Sequence, residues 1–337
     1  MTPKLKPIDQ QVVVLVGCSS GIGRQTARRF AERGARLVLS GRDEAALAEV
    51  LDDVRSLGAH DAIAVPSDVV DPASMQEVAR RAREAFGRID TWVQTAAVSV
   101  YATAEETTPE EFRRVIEVNL LGQVHGALAA LPALRAAGGG ALIEISSVEA
   151  EVALPYQSAY SASKHGMSGF LRSLRMELKA EGAPIAVTQI MPAGIDTPLF
   201  MNARSKLGVL PKPTAPVYDP DVVADQVLWA AQHPSGDLFA GGAGWAFALF
   251  RRLAPGPFES LMARVGKRAQ RSNVPEGPEA VDNLDAPTPL TDTVRGGFGG
   301  RSFSISNVIQ RIPGIVRLGA LAAAAGGLAL LRRRTSG

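Results

Sequence analysis

The sequence predicts an α/β fold: a parallel, doubly wound sheet with helices on both faces. Two observations carry this. Apolar, β-branched runs alternate with amphipathic helical stretches from about residue 11 to residue 242, and a glycine-rich turn joins the first run to the first helical stretch. The first run, QVVVLVG (Gln11–Gly17), is apolar throughout, as a strand buried on both faces must be. After the glycine turn, IGRQTARRFAERG reads as a helix stopped by Gly34. ARLVLSG is the next strand, followed by a helix opened by Asp43 and closed by Gly58. DAIAVPSD, a helix from Pro72 and IDTWVQTAA repeat the unit. Pro72 and Pro109 stand at helix starts, where the missing N–H costs nothing. GGGALIEISS and APIAVTQIMPAG are strands on either side of a helix carrying Tyr160. DPDVVADQVLWAAQHPSG and DLFAGG complete a series of six or seven strands.

A chain of 337 residues holds one large α/β domain with an extension, or two modest domains. A net charge of +2 gives no reason to expect nucleic acid as a partner. The single cysteine, Cys18, excludes an internal disulfide framework and fits a reducing compartment. The four histidines show no metal-ligand spacing, so no metal is expected. MTPKLKPIDQ lacks the apolar stretch of a secretory signal, so a cytoplasmic catalytic part is expected.

Two short stretches carry chemistry. In SAYSASKHG (Ser158–Gly166), Tyr160 precedes Lys164 by four residues, which places both on one face of a helix. An ammonium beside a phenol favours the phenolate, giving a group able to move a proton near neutral pH. The spacing alone is common, and an amphipathic helix meeting solvent would show it too. VGCSSGIG places Gly17, Gly21 and Gly23 between strand and helix, where the backbone can approach a pyrophosphate held on the helix N-terminus. Its spacing is G-x-x-x-G-x-G, not the G-x-G-x-x-G of the standard dinucleotide fingerprint.

Together, G-x-x-x-G-I-G and Y-x-x-x-K give residues 10 to 245 a resemblance to the classical short-chain dehydrogenase/reductase family, with a Rossmann-type three-layer fold. The resemblance implies a catalytic set of Asn119, Ser147, Tyr160 and Lys164. Tyr160 would be the proton donor or acceptor. Lys164 would lower its pKa and hold the nicotinamide ribose, Ser147 would orient the reacting oxygen, and Asn119 would hold a water linking the lysine to solvent. For the cofactor it implies Gly17, Ser19, Ser20, Gly21, Ile22 and Gly23 in the turn, with Arg42, Asp68, Val69 and Ala96 after later strands. Tyr160, Lys164, Pro192, Ile195 and Thr197 complete that set.

An acidic residue after the second strand would bond the ribose 2′-OH and select NAD(H). Gly41 and Arg42 stand there instead, and Arg42 can pair with a 2′-phosphate, so NADP(H) is expected ahead of NAD(H). Arg42 merely capping the loop is the plainer alternative, and Ser20 gives no support to NADP(H). One departure stands out: Gln94-Thr95-Ala96-Ala97 replaces the usual N-N-A-G, which puts cofactor geometry in question but not the fold.

Between Thr197 and Asp219, Leu199, Phe200, Met201, Leu207, Val209 and Leu210 suggest an apolar lid for a small apolar carbonyl or alcohol, with Val98 and Tyr156 edging the pocket. A loop that simply covers the core reads the same way. The chain then divides into a catalytic domain (1–245), a basic amphipathic segment (246–272), a flexible linker (273–311) and an apolar tail ending in Arg332–Arg334 (312–337). The amphipathic segment has Phe250, Leu253, Phe258, Leu261 and Val265 near helical spacing and suits either an anionic membrane surface or its own domain. Residues 312–334 could contact a membrane or pack as a tail helix. The family suggests a homodimer or tetramer. Two classes stay open: an oxidoreductase, or a dinucleotide-binding sensor or scaffold on the same fold. A complete Asn119, Ser147, Tyr160 and Lys164 set favours the first.

Overall fold

The computed structural model describes residues 3–275, 281–288 and 293–311. Seven parallel strands form the sheet: β1 (Val12–Val16), β2 (Arg36–Gly41), β3 (Asp61–Pro66), β4 (Thr91–Gln94), β5 (Gly140–Ile145), β6 (Ile185–Pro192) and β7 (Asp237–Ala240). Their spatial order is β7-β6-β5-β4-β1-β2-β3, so the chain reverses direction across the sheet between β1 and β4. Connecting helices are α1 (Gly21–Ala31), α2 (Glu44–Ser56), α3 (Pro72–Phe86), α4 (Pro109–Ile116), α5 (Gly122–Ala136), α6 (Ser158–Ala180) and α7 (Pro220–Ala230). The architecture is the Rossmann-type, doubly wound sheet the sequence predicts.

Period-two alternation in β1 builds both cores at once. Val13 and Leu15 pack with Phe30 of α1 and Val223 and Val227 of α7. Val14 and Val16 face the other way, against Met75 of α3, Ala127 of α5 and Met167 of α6. Helix ends follow local chemistry. Asp43 caps α2 by accepting from the amides of Ala45 and Ala46, and Thr108 with Glu111 forms a capping box ahead of Pro109. Between α4 and α5 the helix widens into a single π-turn, Glu117–Leu121, which contains Asn119. Pro109–Ala136 as a whole is long and apolar enough to cross a bilayer by length and composition; here it packs against α3 and α6.

The altered segment after β4 is accommodated by hydrogen bonding. Gln94 Nε2 donates to the Gly122 carbonyl at 2.7 Å, and its Oε1 accepts from the Trp92 indole at 2.9 Å. The Thr95 hydroxyl lies within hydrogen-bonding reach of the Val16 and Gly17 carbonyls, at 2.8 and 2.7 Å.

The basic amphipathic segment is two helices, α8 (Gly242–Leu253) and α9 (Pro255–Gln270), joined at Ala254. Phe258 and Met262 are buried against Val148 and Val152, so the segment packs on its own domain through one face. Residues 281–288 and 293–304, expected as flexible linker, instead lie along the domain as a strap. Composition misleads here because Gly296 and Gly300 serve close packing: a Cβ on Gly296 would stand 2.5 Å from the Thr197 carbonyl oxygen. A final helix, α10 (Ile305–Arg311), covers the sheet edge. Gln310 donates to the Phe239 carbonyl and accepts from its amide, at 2.8 and 2.7 Å, satisfying the exposed side of β7. The apolar tail at 312–337, with its expected membrane contact, lies outside the described residues.

Gln94 fits because residue 126 is a glycine: a Cβ there would meet its Oε1 at 1.8 Å. Gly126→Ala is therefore expected to destabilise the protein by about 1–3 kcal/mol in urea unfolding. In a Gln94→Ala background the same change should cost little, because the clash is gone and alanine favours helix.

Candidate active site

The C-terminal ends of β1 and β4 part at the reversal of strand order, and a groove opens there. The glycine turn forms its floor. Cβ atoms would lie 2.5 Å from the Ala96 amide nitrogen at Gly17 and 2.2 Å from the Gly17 carbonyl at Gly23, so α1 can start this close to β1 only with glycine at both places. Gly17, Ser19, Ser20, Gly21, Ile22, Gly23, Arg42, Asp68, Val69, Ala96, Tyr160, Lys164 and Thr197 all line the groove. Pro192 and Ile195 line the adjoining cavity instead. The groove fits a dinucleotide on its own chemistry. It ends at an α-helix N-terminus, and Arg42 Nη1 and Asn283 Oδ1 are buried there with no hydrogen-bond partner among the described residues.

Tyr160 and Lys164 share one face of α6, as their spacing predicts. The Lys164 ammonium is buried, donates to the Ile145 carbonyl at 3.2 Å and lies 5.5 Å from the Tyr160 ring centre. Burial lowers its pKa to about 8, against the opposing pull of Glu144 and Glu149. The expectation that Lys164 depresses the Tyr160 pKa is not met. Burial holds the phenol well above its ordinary value, Glu149 pushes the same way, and a hydrogen bond with Ser147 opposes them. Ser147 Oγ also accepts from the Glu149 amide at 3.1 Å. Ser146 Oγ, its neighbour, accepts from Gln189 Nε2 at 3.0 Å.

Asn119 stands one step back. Its Oδ1 accepts from the Val98 amide at 2.8 Å, and its Nδ2 donates to the Val98 carbonyl at 2.9 Å and to Ser163 Oγ at 3.3 Å. Ser163 in turn donates to the Tyr160 carbonyl at 2.7 Å, so Asn119 ties the π-turn to α6.

The second cavity meets the groove at Tyr160, which lines both. Leu199 and Phe200 line it with Val148, Val152, Leu154 and Phe247, so its walls are largely apolar. Val98 lines the groove rather than this cavity. Tyr156 stands behind, at φ 67°, in a cluster of Tyr101, Phe200 and Leu207, with Lys267 Nζ 5.4 Å from its ring centre. Leu207 and Val209 of the expected lid pack in that same cluster.

Sequence reasoning missed Glu149, Tyr101, Gln157 and Gln270 in the cavity and Asn283 in the groove. Glu149 follows Ser147 by two residues, a spacing that could have flagged it. The others come from segments with no motif. Burial raises the Glu149 pKa to about 8, although its carboxylate accepts from Ser161 Oγ at 2.6 Å and feels Lys164.

A glycine-floored groove that meets an apolar cavity at a Tyr–Lys pair defines a dinucleotide-binding oxidoreductase. Residues 11–208 match the short chain dehydrogenase family model, and the chain belongs to that family. The uncharacterized oxidoreductase YxnA of Bacillus subtilis is 38% identical over 305 residues, covering 89% of this chain and 85% of that protein. Dehydrogenase/reductase SDR family member 7B of Bos taurus is 36% identical over 271 residues, 77% of this chain and 83% of that one. An alcohol dehydrogenase of the archaeon Thermococcus sibiricus, solved with 5-hydroxy-NADP, matches with a TM-score of 0.60 at 26% identity, over 68% of this chain and 95% of that one.

The buried Glu149 makes stability depend on pH. Between about 4.5 and 8 the folded protein keeps a proton that the unfolded chain has released, so stability falls as pH rises. Glu149→Gln should remove up to about 1.4 kcal/mol of that fall per pH unit, read as a flatter pH profile of urea midpoints than the wild type gives.

Proposed function

We propose that the protein is an NADP(H)-dependent oxidoreductase that interconverts a carbonyl and an alcohol on a small apolar substrate. One observation carries this reading: Tyr160 lines both the glycine-floored groove and the apolar cavity, so its hydroxyl stands where cofactor and substrate would meet. When bound, the dinucleotide supplies or removes a hydride at the substrate carbon. Tyr160 Oη gives a proton to the carbonyl oxygen in reduction and takes it back in oxidation. Burial keeps the phenol protonated at neutral pH, which suits it to the reductive direction. Ser147, at the end of β5 and hydrogen-bonded to Tyr160, aligns the reacting oxygen and polarises it. Lys164 orients the cofactor side of the pair, and Asn119 positions α6 through Ser163.

The preference for NADP(H) rests on Arg42. Its guanidinium lines the groove after β2, with no carboxylate in the place that would select NAD(H). The Thermococcus sibiricus relative, solved with an NADP analogue, supports the same choice. The largely apolar walls, Val148, Val152, Leu154, Leu199, Phe200 and Phe247, support an apolar substrate. Exposed Leu121, Leu128 and Met176, on the π-turn, α5 and α6, offer apolar surface for a homo-oligomer.

Tyr160→Phe should retain dinucleotide binding while turnover of apolar ketones or aldehydes drops by about 100-fold or more. Unchanged turnover would sink the assignment. Arg42→Ala should weaken NADPH binding by roughly 10- to 100-fold and NADH binding by much less, measured by fluorescence titration of both dinucleotides.

A further inference from the structure

Part of the groove's rim, Asn283 and Pro287, comes from the far end of the chain, well beyond the family match that stops at residue 208. Two donors at the groove are engaged by this strap. The Gly21 amide, first in α1, donates to the Thr293 carbonyl at 3.0 Å, and Arg42 Nη2 donates to the Asn283 carbonyl at 2.9 Å. The other terminal nitrogen of Arg42 and Asn283 Oδ1 are buried without partners among the described residues, and both side chains line the groove. Such atoms cost free energy until something polar meets them.

We propose that the strap, through residues 281–288 and 293–304, forms the outer wall of the dinucleotide site, with Asn283 holding the adenosine end beside Arg42 and the strap retaining the bound cofactor. The inference rests on the dinucleotide reading above.

The strap is tied down at both ends of the groove. Near Arg42, Leu284 is buried in the core, Arg114 donates to its carbonyl at 3.0 Å, and Arg204 pairs with Asp282 and Asp285. After β6, the buried Asp196 carboxylate accepts from the amides of Gly296, Phe298 and Gly299 at 2.9, 2.9 and 3.0 Å. Arg295 forks onto Asp219 at 2.6 and 3.1 Å. A ligand beside Arg42 would meet Asn283 and Pro287, so its exchange is coupled to local opening of the strap. The likeness to the Bacillus subtilis relative spans 89% of this chain and so runs through the strap.

The test is stopped-flow displacement of NADPH from the full chain, followed by its fluorescence, with Arg295→Ala and Asn283→Ala measured separately. Arg295 is half exposed and lines neither cavity, so its loss loosens the strap alone. NADPH should leave the Arg295→Ala protein about fivefold faster. Asn283→Ala should raise the Kd for NADPH and NADH alike by about three- to tenfold. Unchanged rates and affinities in both variants overturn the proposal. So does tighter binding to Arg295→Ala, which would mean that the strap competes with the dinucleotide. A wild type that binds neither NADPH nor NADH overturns the dinucleotide reading and this inference together. Binding by the wild type with unaltered variants overturns the strap alone.

Discussion

The close passage of α1 over the end of β1 is the constraint on which the rest of the site depends. There is no room for a Cβ at Gly17 or Gly23, and the Thr95 hydroxyl reaches the carbonyls on the β1 side of the turn. This junction fixes where the helix N-terminus points and how far β1 and β4 separate. The groove, and every side chain lining it, inherits that position. Gln94 and Thr95 differ from the family's usual asparagines yet keep the junction bonded. The compensation lies across the fold, at the Gly122 carbonyl and in the space left by Gly126.

A second constraint is electrostatic. Lys164 is buried beside two buried carboxyls, Glu144 and Glu149, and burial pushes all three towards their neutral forms. Glu144 lies in register with Gln94 on β4 and Gln189 on β6, which makes a polar row across three adjoining strands. Both Glu144 oxygens lack hydrogen-bond partners among the described residues, and burial pushes its carboxyl well above the ordinary carboxylate range. The Tyr–Lys pair therefore works in a dry, weakly screened pocket, where a single neighbouring charge moves a pKa further than it would in water. Glu149, once ionised, is such a neighbour, and it raises Tyr160 rather than lowering it.

The C-terminal third completes both cavities. Phe247 of α8 and Gln270 at the end of α9 wall the apolar cavity, and Asn283 and Pro287 of the strap wall the groove. A core that would otherwise leave its reactive groups open to solvent on one flank is closed by chain that shares none of its strand–helix rhythm.

The sequence by itself determined the sheet, its helices and the Tyr160–Lys164 pair. These rest on local rules: the apolar run VVVLV, a cap at Asp43, prolines at helix starts, glycines where a backbone must pass closely, and a four-residue interval on a helix. It also placed most of the groove residues, because strand ends in a doubly wound sheet converge whatever lies between them. Only the tertiary structure decided the direction of the Tyr160 shift, since that depends on how dry the pocket is and on where Glu149 falls. It alone turned an apparent linker into a strap, because glycines that allow flexibility and glycines that allow close packing are the same residue in a sequence. The difference lies in what stands opposite them: for Gly296, the carbonyl of Thr197.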